Sequence, residues 1–124
     1  IHLEPLLQRD DRILDCGTGE LTSFVSMLNQ ISIPVRPVAF DLSWSRLAHG
    51  RAFASDHQTF ALPIDYFVGD MASIPLADNS VDVAMTVHAL KPNGGREHEL
   101  VSELLRFARR KVVLFEPSFE QASP

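Results

Sequence analysis

Apolar residues in this chain switch repeatedly between short unbroken runs and spacings of three and four, and glycine, proline or an acidic residue marks most of the switches. Ile13 and Leu14 centre a first run, Arg12–Cys16, that reads as a short strand. Leu21, Phe24, Val25, Leu28 and Ile31 then fall on one helical face. Pro34 and Pro37 punctuate the chain before a second run, Val38–Phe40, which closes at Asp41. Ser43 is placed to cap a helix beginning at Trp44, with Leu47 and Ala48 turned inward. Past Pro63, the aromatic and β-branched residues of Asp65–Val68 form a third strand, ended by Gly69 and Asp70. A loop with Pro75, Asp78 and Asn79 leads to Val81–Val87, whose near-continuous apolar content predicts a parallel strand buried on both faces. Asn93, Gly94 and Gly95 break the chain. Leu100, Val101, Leu104, Leu105 and Ala108 mark an amphipathic helix, and Lys111–Phe115 is a fifth strand halted by Pro117.

Five strand candidates separated by helices or helix-length connections imply right-handed crossovers. The expected fold is α/β, a doubly wound, mostly parallel sheet with helices on both faces. Such sheets bind ligands beyond the carboxyl ends of their strands, where the strand order reverses. Asp15, Gly17, Gly19, Asp41, Asp70 and His88 all lie at or just past such an end. The stretch RILDCGTGEL is the most informative: a side-chain-free turn lets a ligand approach the backbone, and the helix that follows offers unpaired N–H groups and a positive dipole end.

Composition narrows the partners. With 124 residues, 45% of them hydrophobic and 22% charged, the chain can bury one core, so residues 1–124 are expected to form a single domain. No apolar run approaches the roughly 20 residues of a membrane-crossing helix, and the N-terminus has no basic-then-apolar secretory pattern, so a soluble, cytoplasmic protein is expected. A net charge of −5 would repel a phosphate backbone, which argues against nucleic acid. Cys16 is the single cysteine, without a disulfide partner or metal-ligand spacing, and reads as inert core. His2, His49, His57 and His98 are scattered, and no metal is expected.

The segments ILDCGTGEL, VAFDLS and VGDMASIPLADNSVDVAM, in this order, resemble the motifs of class I S-adenosylmethionine-dependent methyltransferases, and the likeness runs from about Arg12 to Glu116. The resemblance implies a Rossmann-like sheet with strand order 3-2-1-4-5 and S-adenosyl-L-methionine as cofactor. By matching position, Asp15, Gly17 and Gly19 pass under the methionine part, Asp41 binds the ribose hydroxyls, and Asp70 with Met71 helps hold the adenine. Leu42, beside Asp41, is counted with the cofactor-binding residues. Structural readings stand beside these: a tight turn of any α/β unit for the glycines, a cap of the Trp44 helix for Asp41, a turn cap through Ala72 and Ser73 for Asp70, packing for Met71, and anchoring of the glycine loop for Asp15. Where the family often has a third glycine, this chain has Leu21.

An acceptor that carries a proton needs a base, and His88 in TVHALKPNGG is the catalytic candidate, with Glu116 a second. Both also read as ordinary loop residues. The family fold carries two further strands after the fifth, so the chain is expected either to be a piece of a longer protein or to pair, as a homodimer, along the bare edge of strand five. The leading reading is methyl transfer to a small-molecule acceptor. The alternatives are a non-catalytic methyltransferase-like scaffold and a nicotinamide-dependent dehydrogenase, whose GxGxxG fingerprint fails here at Thr22.

Overall fold

The structure, a computed structural model, describes residues 3–70, 73–87 and 97–115. A short 3-10 turn, Glu4–Leu6, precedes β1 (Arg12–Cys16), α1 (Thr22–Asn29), β2 (Arg36–Asp41), α2 (Trp44–His57), β3 (Asp65–Val68), β4 (Val81–Val87), α3 (Glu97–Phe107) and β5 (Ala108–Phe115). All neighbouring strands are parallel, in the order β3-β2-β1-β4-β5. From β1 the chain winds outward through β2 to β3, then returns to β1's other side for β4 and β5. The order therefore reverses between β1 and β4, which makes their carboxyl ends the ligand position of this architecture.

Parallel strands with covered faces need apolar residues on both sides, and alternation along each strand divides them. Ile13, Ala39, Val83 and Met85 face α1 and α2, where they meet Phe24, Val25, Leu28 and Ala54. Leu14, Phe40 and Ala84 face the other way, onto Leu104, Phe107 and Ile74. Burying each large side chain of this kind contributes about 1.5–3 kcal/mol. The fold class, strand order and helix placement agree with the sequence reading.

Three packing details differ from it. Ile31 lies beyond α1, which ends at Asn29, and is only half-buried. Ala48 is exposed; the inner face of α2 is made by Leu47, Gly50 and Ala54. Small inward residues carry little hydrophobic signal, so the pattern past Leu47 faded although the helix is packed. Leu105 is exposed and Phe107 takes the inward place, while Ala108 already belongs to β5, because α3 passes straight into that strand.

The segment between β3 and β4 is held by a side chain from α3. Arg106 donates to the carbonyls of Leu76 (2.6 Å) and Ile74 (3.1 Å) and to Asp78 (3.0 Å), and is itself steadied by Glu103 at 2.6 Å. Asn79, in a left-handed conformation, donates its N–H to the Arg106 carbonyl. Arg110 pairs with the buried Asp11 and donates to the Leu6 carbonyl, which ties the N-terminal turn to the sheet. Among the described residues no helix is long and apolar enough to cross a membrane.

Candidate functional site

At the carboxyl end of β1 the backbone turns left-handed three times in five residues: Gly17 at φ 68°, Gly19 at φ 61° and Leu21 at φ 69°. Glycine adopts this region freely, whereas a leucine there costs about 1–2 kcal/mol. Leu21 is held in it by burial. Its side chain has 0% exposure and lies against Gly50 of α2, where a Cβ would meet Leu21 at 2.8 Å and the Glu20 backbone at 2.9 Å. The third glycine missing from the loop is thus offset by a glycine in the facing helix, which makes room for the leucine.

The turn is anchored from below and from the side. Asp15 Oδ2 accepts from the Thr18 hydroxyl at 2.7 Å, and the Thr18 N–H reaches the Phe40 carbonyl at 2.9 Å. Asp41, closing β2, accepts the Gly19 N–H on Oδ1 (3.1 Å) and the Ser43 N–H on Oδ2 (3.0 Å), while its carbonyl accepts from Gly69 at 3.1 Å. One residue therefore ties together the loops after β1, β2 and β3. Ser43 caps α2 as expected, its hydroxyl accepting from the Arg46 N–H.

Two buried carboxylates lie at this rim, Asp15 at 3% exposure and Asp41 at 7%. Burial raises the Asp15 pKa to about 7; the nearby Asp41 charge adds to the rise and the Thr18 hydrogen bond opposes it. Asp15 Oδ1 is buried with no hydrogen-bond partner. An orphan acceptor of this kind is costly in a folded interior. Burial and the Asp15 charge push the Cys16 thiol up, away from thiolate chemistry, which fits an inert core cysteine.

Asp15, Gly17, Gly19 and Asp41 thus meet at one rim. Leu42 stands exposed beside Asp41, with Trp44 exposed just beyond it. Asp70 follows Gly69 and forms an antiparallel bridge to Ser73, whose N–H donates to the Asp70 carbonyl at 3.0 Å. Met71, His88 and Glu116 lie outside the described residues. Three contributors escaped the sequence reading: Thr18, Gly50 and Arg46. Thr18 stood inside the glycine motif and could have been read as a side-chain anchor; the other two sit in a helix whose pattern gave no cue. Among the described residues no cluster of three or more histidine, cysteine or acidic side chains could hold a metal.

With this geometry in view, comparison with known proteins is decisive. The methyltransferase domain family matches residues 13–112. The chain belongs to the class I methyltransferases. This methyltransferase domain superposes on a putative methyltransferase from Bacillus halodurans with a TM-score of 0.72 and 25% identity, over 90% of its own length and 47% of the other chain. A Haloferax volcanii putative methyltransferase, solved with the Trm112 methyltransferase activator, gives a TM-score of 0.67 and 23% identity, covering 83% and 42%. Phosphoethanolamine N-methyltransferase 1 of Haemonchus contortus, solved with phosphoethanolamine and S-adenosylhomocysteine, gives 0.65 and 18%, covering 85% and 22%. The domain spans less than half the length of each. No curated protein matches its sequence.

Proposed function

We propose that this domain binds S-adenosyl-L-methionine across the carboxyl ends of β1 and β2 and directs its methyl group to a small-molecule acceptor. The observation that carries the reading is the placement of Asp41. Each of its oxygens accepts one backbone N–H, from Gly19 or Ser43, and each keeps a second lone pair for a ribose hydroxyl. The carboxylate is oriented before any ligand arrives, and charge-assisted bonds to two hydroxyls would contribute about 1.5–3 kcal/mol each. Gly17 and Gly19 let the methionine part lie close to the backbone. The free Oδ1 of Asp15 suits the α-ammonium, completing the orphan acceptor. Leu42 offers exposed apolar surface beside Asp41, and Asp70 with Met71 is assigned to the adenine side.

When bound, S-adenosylmethionine supplies a methyl group already activated by its sulfonium, so that alignment with the acceptor accounts for most of the rate gain. The domain's own residues orient and hold; His88 is assigned as the base for an acceptor that must lose a proton. The neighbour solved with S-adenosylhomocysteine supports the cofactor class.

Calorimetric titration with S-adenosylmethionine tests the ribose assignment. Asp41→Ala is expected to weaken binding by at least about tenfold relative to wild type. Equal affinities would refute it, provided circular dichroism shows that the variant is folded.

A further inference from the structure

Arg46, in the first turn of α2, holds its guanidinium directly over the glycine loop. A Cβ built on Gly19 would meet Arg46 Nη2 at 2.6 Å and Cζ at 3.1 Å, so the arginine fills the volume that any side chain at position 19 would take. Three arginines of the described residues are held by acidic partners: Arg106 by Glu103 and Asp78, Arg109 by Asp82, and Arg110 by Asp11. Arg46 pairs with no carboxylate among the described residues. Asp41, the nearest candidate along the chain, directs its two oxygens to the N–H groups of Gly19 and Ser43 instead.

We propose that Arg46 is a specificity-determining contact of the cofactor site that takes the carboxylate of the ligand's amino-acid end, an inference that rests on the S-adenosylmethionine reading above. That ligand carries two cationic groups, the sulfonium and the α-ammonium, and one anion. The loop's floor is acidic, with Asp15 and Asp41 both buried there, which favours the cations and repels the carboxylate. An unpaired guanidinium beside Gly19 supplies the missing complement. Its planar fork matches a carboxylate in a bidentate arrangement, and its long stem from an exposed helical position lets it follow the ligand as it settles. Asp15 and Arg46 together then read the zwitterion, one end each. Gly19 acquires a second role beside its backbone angle, because its missing side chain is what brings the guanidinium within reach of the loop.

The test compares S-adenosylmethionine with its decarboxylated analogue, which keeps the sulfonium, amine and adenosine and lacks only the anion. Both are titrated calorimetrically into wild type, Arg46→Met and Arg46→Lys. Wild type is expected to prefer the carboxylate-bearing ligand by about tenfold or more. Arg46→Met is expected to lose that preference by weakening S-adenosylmethionine alone, with the analogue's affinity unchanged, and Arg46→Lys to restore part of it. Unchanged discrimination in Arg46→Met would overturn this inference alone. A wild type that binds neither ligand would overturn the cofactor reading and this inference with it. The Arg46 side chain makes no hydrogen bond among the described residues, so its replacement leaves folding intact, and matching melting midpoints would establish this.

Discussion

Asp15 and Asp41 illustrate how one residue type serves two purposes at one rim. Asp41 accepts two backbone N–H groups that hold it as an oriented acceptor, whereas Asp15 accepts a single hydroxyl and leaves its other oxygen buried and unmet. The consequence is a pH dependence whose sign is fixed. Because the Asp15 pKa rises from 3.8 to about 7 on folding, the folded protein takes up a proton between those values. The stability this group contributes is complete below pH 3.8 and is lost as pH rises toward about 7. A ligand ammonium favours the ionised carboxylate, so affinity for S-adenosylmethionine should increase as pH passes upward through 7 and level off above it. Titrations from pH 6 to 8 would show this slope in wild type and a flat profile in Asp15→Asn. A flat wild-type profile would remove Asp15 from the ammonium site. At this scale the carboxylates and glycines were legible in the sequence because strand ends and turn chemistry announce them. Arg46 was not, since a basic residue on an exposed helical turn looks like ordinary solvated surface until the fold brings Gly19 beneath it.

At the level of elements, the contact between α1 and α2 explains how a leucine tolerates a left-handed N-cap position. Gly50→Ala places a methyl 2.8 Å from the Leu21 side chain and 2.9 Å from backbone, and backbone cannot yield as a side chain does. The substitution should destabilise the domain by about 1–3 kcal/mol in denaturant melts. Leu21→Ala combined with Gly50→Ala should recover part of that loss, and strict additivity of the two changes would contradict the packing described here. A second inter-element device is Arg106, whose removal in Arg106→Met frees the carbonyls of Ile74 and Leu76 together with Asp78. Amide exchange across residues 74–79 should then quicken several-fold while β1 and β2 stay protected; unchanged exchange would mean that the segment is held by its own turns. Strands β1 and β3 were readable to the residue because each run ends at a glycine, Gly17 or Gly69, and β4 because its apolar content is nearly continuous. The inner face of α2 and the turn from α3 into β5 were not, because Gly50 and Ala54 bury without a hydrophobic signature, and because Ala108, which continues the same spacing as Leu104, belongs to the strand while Phe107, three residues after Leu104, fills the inward place.

For the whole molecule, the reversal of strand order beside β1 gathers chemistry that is dispersed along the chain: a turn after β1, a carboxylate after β2 and an acidic loop after β3. The parallel topology could be inferred from alternating patterns alone, since long crossovers between apolar runs leave few arrangements. The acceptor could not, because no spacing or residue type in the chain singles out its chemistry. The proposed transfer of a methyl group can be tested through the proposed base. His88→Gln should leave S-adenosylmethionine affinity unchanged and lower kcat against an acceptor that loses a proton, with the loss diminishing as pH rises; an unaltered kcat would remove His88 from that role. Everything at this scale depends on whether the adenosyl group lies between the glycine loop and the end of β2. A crystal structure of the protein soaked with S-adenosylhomocysteine would decide it: both ribose hydroxyls should lie within about 2.5–3.0 Å of the Asp41 carboxylate oxygens, and a ligand seated elsewhere, or a ribose turned away from Asp41, would contradict the cradle described here.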